Sequence, residues 1–456
     1  MTKITELFET ICSKKELEWE ELLHNGNLFE LEKDLQLLYH DIHSEIMSIL
    51  LTKVGTSKRF KEKLEQTYED QGVKDLRQRE NSIQLITGKW VTYKSYYARG
   101  VKVDYELNTR HLSEVYWSCI NKASFGYVNI ASIYRIMLPS FEIGKEILKL
   151  HNIKIDGSRM RKLGIEMGRL GHTVGIQGIL QEEESLENKR VVISFDGGRS
   201  RTREENGRKN KRGNAKYNTP WREPKIIVIQ VINEKGELER KKSIPFYYGT
   251  MKSTASAMKK LEKALILLNA KEAAVIQFIS DGAKSIWNNI KKVIKGAGIA
   301  FSKVTFTLDY YHAVQHLKAL SLLLPYDEKQ QNVVFEEWKE MLWEGLAKSI
   351  VRDFKKRIKN AKISLSSEMK TAIKYFIRHQ EHMKYKYYKR HKLLSGSGLV
   401  ESAVRRIINL RFKNTSSFWK IENLENLILL RCVFLADRWR IMLKNIELSL
   451  KKLGTI

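Results

Sequence analysis

The sequence predicts an α/β protein: a core of strands and helices interrupted by a helical insertion, with a mainly helical N-terminal region. Three observations predict it. Short β-rich apolar runs cluster between residues 191 and 309, each followed by a helical pattern or a turn. The first 85 residues instead carry apolar positions at three- and four-residue spacing, and residues 323–392 contain no clear strand. Two of the apolar runs end on an aspartate: Asp196 closes Val191-Val192-Ile193-Ser194-Phe195, and Asp281 closes Ala273-Ala274-Val275-Ile276-Gln277-Phe278-Ile279-Ser280.

The chain has 456 residues, more than one hydrophobic core accommodates, and an apolar fraction of 42% suits folded domains. Met1-Thr2-Lys3-Ile4-Thr5-Glu6-Leu7 lacks the apolar core of a signal peptide, and no segment reaches the roughly 18 apolar residues of a membrane span. The expectation is a soluble protein with no membrane partner. Cys12, Cys119 and Cys432 are far apart and form no CxxC pair, which excludes a disulfide framework and a thiolate zinc site. Lys and Arg total 81 against 53 Asp and Glu, a formal charge of +28 spread along the chain. Such a surface attracts polyanions, and nucleic acid is the expected partner.

Within residues 1–85, Leu35, Leu38, Ile42, Ile46 and Ile49 form a helical stripe with no proline in it. This region reads either as a packing module or as an interaction module. Region 86–180 follows. Ile86 to Tyr97 alternates and is rich in aromatics, as in a hairpin, with Ala98-Arg99-Gly100 as its turn. Residues 139–170 read as a helix-turn-helix: Pro139-Ser140-Phe141-Glu142 opens one helix, His151 to Gly157 breaks it, and a second begins with Arg159, Arg161 and Lys162 near its N-terminus. Those three residues suit DNA recognition, and a plain packing pair has the same pattern.

Core strands are expected at Val191–Phe195, Ile226–Ile232, Ser243–Tyr248, Ala273–Ser280 and Ser302–Asp309. Helices are expected at Ala255–Leu268, Ser285–Ile294 and onward from Asp309 to Leu324. The second strand alternates poorly, as expected of one buried on both faces. The order βββαβαβα is that of a ribonuclease-H-like core. Residues 186–322 would form its first part, 323–392 a helical insertion, and 393–445 its C-terminal part. There, the helical stretch Gly398-Leu399-Val400-Glu401-Ser402-Ala403-Val404 offers a third acid.

Two aspartates at strand ends and a glutamate on a late helix can converge on two Mg²⁺ or Mn²⁺ ions, the arrangement phosphodiester cleavage and transfer require. Asp196 suits the central position, and Gly197-Gly198 would let DNA approach the backbone. Each acid has a plainer reading. Asp281-Gly282 is a common turn pair, and Glu401 has Arg405 four residues on for a helix ion pair. Asp309 also ends an apolar strand and rivals Asp281, with His312 three residues later.

Directly after Asp196 comes a basic loop carrying Arg199, Arg201, Arg203, Arg208, Lys211 and Arg212, read as phosphate-contacting or as solvated. Lys384-Tyr385-Lys386-Tyr387-Tyr388-Lys389-Arg390 interleaves cations with aromatics. Lys386 and Arg390 then suit DNA contact with stacked bases, or else the run is an amphipathic helix end.

These residues resemble the ISKra-type insertion-sequence DDE transposases, which are related to the Mutator-like transposases. The resemblance rests on Phe195-Asp196-Gly197-Gly198-Arg199-Ser200-Arg201-Thr202-Arg203, Thr219-Pro220-Trp221-Arg222-Glu223-Pro224-Lys225, Ser280-Asp281-Gly282-Ala283, Leu308-Asp309-Tyr310-Tyr311-His312-Ala313, and Ser395-Gly396-Ser397-Gly398-Leu399-Val400-Glu401-Ser402. Arg411 and Trp419 lie beyond, and the likeness spans about residues 86–435. It implies Asp196, Asp281 and Glu401 as the catalytic, metal-holding triad, a ribonuclease-H-like core with a helical insertion, and Mg²⁺ or Mn²⁺ as cofactor. Asp309, His312 and Arg411 would then support the site. The expected activity is cleavage and strand transfer at the terminal inverted repeats of a mobile element into target DNA, by an oligomer on DNA in the nucleoid of a bacterial cytoplasm. A domesticated nuclease and a non-catalytic DNA-binding regulator are the alternatives. One departure stands out: family members carry a cysteine pair after the Tyr-Tyr, whereas Tyr96-Tyr97 is followed here by Ala98-Arg99-Gly100-Val101, so no zinc knuckle forms.

Overall fold

A computed structural model describes residues 2–69, 76–98, 111–239, 245–413 and 417–453. The chain forms two compact units, residues 1–174 with 443–456, and residues 175–442. It is a mixed α/β protein with a mainly helical region and a mixed sheet, the class expected from sequence.

In the first unit, α1 (Thr2–His24), α2 (Leu28–Gly55) and α3 (Lys58–Thr67) precede a hairpin of β1 (Arg77–Gln84) and β2 (Trp90–Tyr97). The strand β1 corrects the all-helical expectation for residues 1–85. The hairpin itself is also displaced from its expected place. Ile86 to Tyr97 supplies its turn and second strand, and Gln84 pairs with Trp90. Gly88 explains the turn: its φ is +77°, and a Cβ there would lie 2.9 Å from the Lys154 backbone nitrogen. Of the expected turn at 98–100, Arg99 and Gly100 lie outside the described residues. Then come α4 (Leu112–Tyr116), α5 (Phe125–Met137), α6 (Phe141–Leu150) and α7 (Gly157–Val174). Ser124 and Ser140 cap α5 and α6 by accepting the N–H groups of Tyr127 and Ile143.

The second unit is built on β3 (Arg190–Gly197), β4 (Ser200–Arg201), β5 (Glu204–Lys209), β6 (Ala215–Asn218), β7 (Trp221–Arg222), β8 (Lys225–Ile232) and β9 (Phe246–Thr250). It continues through α8 (Thr254–Leu267), β10 (Val275–Ser280), α9 (Lys284–Gly296), β11 (Val304–Leu308) and α10 (Tyr310–Ser321). The third core strand thus starts later than expected; residues 243 and 244 lie outside the described set. One five-stranded sheet runs in the order β11-β10-β3-β8-β9. Neighbours β11, β10 and β3 are parallel, and β8 is antiparallel to both β3 and β9. Residues 226–232 of β8 are all buried, which is why that run lacks alternation. The basic stretch after Asp196, expected as a loop, instead forms two small antiparallel ribbons, β4–β7 and β5–β6.

Helices α11 (Glu328–Trp343), α12 (Ala347–Asn360), α13 (Ser367–His379) and α14 (Tyr385–Arg390) follow. Trp338, Leu342, Ile350, Phe354, Phe376, Tyr385 and Tyr388 give them a core shared with Leu308 and Leu317. The chain then returns to the sheet: α15 (Gly398–Val404) packs on β3 and β8, and Leu399 rests on Val192, Ile232 and Ile279. A π-helical stretch at Arg405–Asn409, α16 (Leu410–Phe412), α17 (Ile421–Leu435) and α18 (Trp439–Leu453) complete the fold.

Candidate active site

Strand register gathers the acids. Ser280 pairs in parallel with Phe195 on one side and with Leu308 on the other. The next residue of each strand is an aspartate, so Asp196, Asp281 and Asp309 stand in a row across the C-terminal ends of β3, β10 and β11. Ligand sites of open α/β sheets lie at such strand ends.

Each carboxylate is held locally. Asp196 accepts the N–H of Gly197 at 2.7 Å, and Asp281 accepts that of Ala283 at 2.9 Å. Asp309 is fully buried: one oxygen caps α10 by accepting the His312 N–H at 2.9 Å, and the other accepts the Ser397 N–H. Ser397 passes the connection on, its hydroxyl donating to Glu401 Oε1 at 2.8 Å. The Gln277 side chain on β10 steadies the same segment, donating to the Leu394 carbonyl at 2.6 Å and accepting the Leu394 N–H at 2.9 Å. Glu401 is therefore presented to the strand ends by a strap tied down at Leu394, at Ser395, whose carbonyl accepts the Tyr310 N–H at 3.0 Å, and at Ser397. Among the described residues it forms no ion pair with Arg405.

The electrostatics mark a crowded anionic cluster. Burial first, then the negative charges of Asp281 and Glu401, push the Asp196 carboxyl up to about 6, against the Gly197 N–H and His312. A carboxylate so penalised is relieved by a cation, and hard oxygen donors suit Mg²⁺ or Mn²⁺. The donor atoms of Asp309, His312 and Glu401 lie within 4.8 Å of one another, close enough to share an ion. That set differs from Asp196, Asp281 and Glu401, with only Glu401 in common.

The basic candidates fare differently. Arg199 is exposed two residues beyond the β3 end. Arg201 lies against Phe418 and Trp221, 4.8 and 5.8 Å from their ring centres, and Arg203 lies 5.2 Å from that of Tyr217. Arg208, Lys211 and Arg212 are exposed on the β5–β6 ribbon. In the other unit Arg159 donates to the Asn121 carbonyl at 2.6 Å, while Arg161 and Lys162 are exposed on α7. In the run at 384–390 the aromatics divide, Tyr387 being exposed among the cations. Tyr385 and Tyr388 are buried core residues of α14, Lys386 pairs with Glu344 at 2.5 Å, and Arg390 is exposed. A helix turns by 100° per residue, so positions three apart share the inner face and the cations between them point out. Arg411 and Trp419 are buried together, the guanidinium 5.0 Å from the indole centre, which makes both part of the packing.

Two contributors escaped the sequence reading. Ser397 carries no signal on its own, because its role depends on Asp309. Tyr375, whose phenol is raised by burial and by the charges of Asp281 and Asp309, comes from α13 and has no local motif.

Among the described residues, no helix is long and apolar enough to cross a membrane. No family model and no curated protein matches the chain. Among solved structures, it is similar to the Drosophila P element transposase strand transfer complex, at 11% identity and a TM-score of 0.26, over 72% of this chain and 83% of that one. A likeness of that size carries no argument about fold or function.

Proposed function

We propose that this chain is a DNA transposase of the DDE type, built on a ribonuclease-H-like core that a helical insertion splits before its last helices. One observation carries the reading: aspartates end three adjacent parallel strands, and a tethered glutamate is brought to them, in a chain of charge +28. Asp196 takes the role shared between the metals, with Asp281 and Glu401 as the further metal holders. When bound, two divalent ions supply positive charge to the attacking and leaving oxygens of an in-line displacement. Asp309 then works through Ser397 to place Glu401. Basic residues beside β3, Arg199 foremost, hold the DNA backbone. The substrates are duplex DNA ends of a mobile element and a target duplex, which two or more copies would hold together.

The test uses the purified chain with Mg²⁺ and DNA flanking its own coding region. Wild type should cut at inverted repeats, while Asp196→Asn binds the same ends and cuts nothing. Full cleavage by that variant would sink the assignment.

A second ligand set has its own geometric support, since Asp309, His312 and Glu401 lie within one ion's reach. Comparison of Asp281→Asn with His312→Ala separates the two. Loss of cleavage in the first alone supports the Asp281 set, and loss in the second alone supports the Asp309 set.

A further inference from the structure

We infer that the β5–β6 hairpin is a ribbon that enters the major groove of duplex DNA next to the strand-end carboxylates. The inference rests on the nucleic-acid reading above and gives it a position on the duplex.

Every residue of β6 is exposed, and so are the outer residues of β5, Gly207, Arg208 and Lys209. A two-stranded hairpin with no buried face is marginal in water. Its root, by contrast, is fixed. Ser200 and Thr202 are fully buried, and Ser200 Oγ donates to the Phe412 carbonyl at 2.8 Å. The Arg203 N–H donates to the Trp419 carbonyl at 2.9 Å, and the Trp419 N–H returns to Arg201 at 3.1 Å. An anchored root under a bare ribbon is the form of an arm that docks on something.

Charge identifies the class of partner. Residues 204–218 hold five cations and two acids. Both acids are at the root, and Glu204 is already occupied by Arg222 at 2.6 and 2.8 Å. Beyond Glu205 only Arg208, Lys209, Lys211, Arg212 and Lys216 are charged, so the outer part is built for a polyanion. The tip is shaped rather than loose. Asn210 Oδ1 accepts the N–H groups of Arg212 and Asn214, each at 2.9 Å, and Gly213 takes φ +77°.

Shape narrows the class to DNA. A two-stranded ribbon fits the B-form major groove, about 12 Å wide. The deep, narrow major groove of A-form RNA does not admit it. The six residues of β5 extend about 20 Å at ~3.3 Å per residue. At about 3.4 Å per base pair that length covers roughly six base pairs. With its root seven residues after Asp196, the ribbon lies along the duplex flanking the cut rather than at the cut itself.

The experiment uses the full chain and a duplex DNA probe of about three helical turns, titrated over a salt series without divalent metal. The triple variant Arg208→Ala, Lys211→Ala, Arg212→Ala should lower the log–log salt slope by about three and weaken binding at ~0.1 M salt by on the order of 10–100-fold. Since no core is disturbed, its melting temperature should match wild type. A Lys211→Cys chain should exchange onto a mixed disulfide tethered to cytosine N4, in the major groove, releasing the small thiol, and not onto one tethered to guanine N2, in the minor groove. An unchanged slope, minor-groove trapping, or equal competition by duplex RNA overturns the inference. Wild type that binds the probe with the expected slope but never cleaves DNA refutes the catalytic reading and leaves the ribbon standing. Cleavage by wild type with an unchanged slope in the triple variant does the reverse.

Discussion

The buried carboxylate of Asp309 accepts the backbone N–H of Ser397, 88 residues further along the chain. Its other oxygen caps α10 at His312, so each oxygen already accepts one backbone N–H. Through the Ser397 hydroxyl this contact fixes Glu401. Asp309→Asn removes one acceptor and leaves a buried N–H unpaired, a cost of about 1–3 kcal/mol. The melting temperature should fall by several degrees and cleavage should weaken with it. Ser397→Ala, which loses only the hydroxyl, should weaken cleavage with little change in melting. An Asp309→Asn chain as stable and active as wild type would remove Asp309 from this role.

Part of this arrangement was legible in the sequence for a simple reason. Strands β3, β8 and β10 are buried along nearly their whole length and β11 at its C-terminal end, and the apolar runs of β3, β10 and β11 stop where the chain leaves the sheet, which marks Asp196, Asp281 and Asp309 as strand-end acids. Glu401 sits on a helix of only seven residues, placed by Gln277 and Asp309 from distant strands, so no local pattern could locate its strap. Tyr385 and Tyr388 follow the amphipathic of the two readings the run allows, because their three-residue spacing is that of one helix face, and Tyr387 is left outside. The turn of the β1–β2 hairpin has no clear local signal, because what demands glycine at position 88 is the tertiary approach of the Lys154 backbone.

Asp196 pays a burial and repulsion penalty that a cation relieves. Without divalent metal, Asp196→Asn should therefore raise stability, by about 1–2 kcal/mol once partial exposure is discounted. Mg²⁺ should then stabilise wild type more than the variant, since a ligand bound only by the native state raises its stability. Chemical denaturation with EDTA and with Mg²⁺ checks both halves. A variant less stable than wild type in EDTA contradicts the account.

Gly282 follows Asp281 at φ +86°, and a Cβ there would lie 2.9 Å from Leu308 Cδ1. Gly282→Ala combines left-handed strain with a clash and should cost about 1–3 kcal/mol. It should also move Asp281, whose carboxylate accepts the Ala283 N–H across this residue, and so reduce cleavage. Gly298→Ala is the control: φ is +69° but nothing lies within 4 Å, so only strain is added. Equal losses of cleavage in the two variants would argue against the placement of Asp281 by this turn.

His379 gives a stability dependence on pH with a definite sign. It is 2% exposed, with Tyr375 and Trp287 ring centres at 5.1 and 5.6 Å, and its Nε2 has no hydrogen-bond partner. Burial, then the neighbouring His382, Arg378 and His316, push it down from 6.5 to about 4, opposed only by Asp281. In the fold the ring stays neutral, whereas the unfolded chain takes up a proton below about 6.5. Between those values the unfolded state binds more protons, so stability is complete above pH ~6.5 and is lost as pH falls toward ~4, by about 3 kcal/mol from this residue. His379→Phe, which keeps a ring in the aromatic cage, should flatten that part of the curve. His316 and His382, also lowered by burial, leave a residual slope in the variant. Guanidinium unfolding of both proteins at steps from pH 7.5 to 4.5 measures the difference, and parallel curves would refute the assignment to His379.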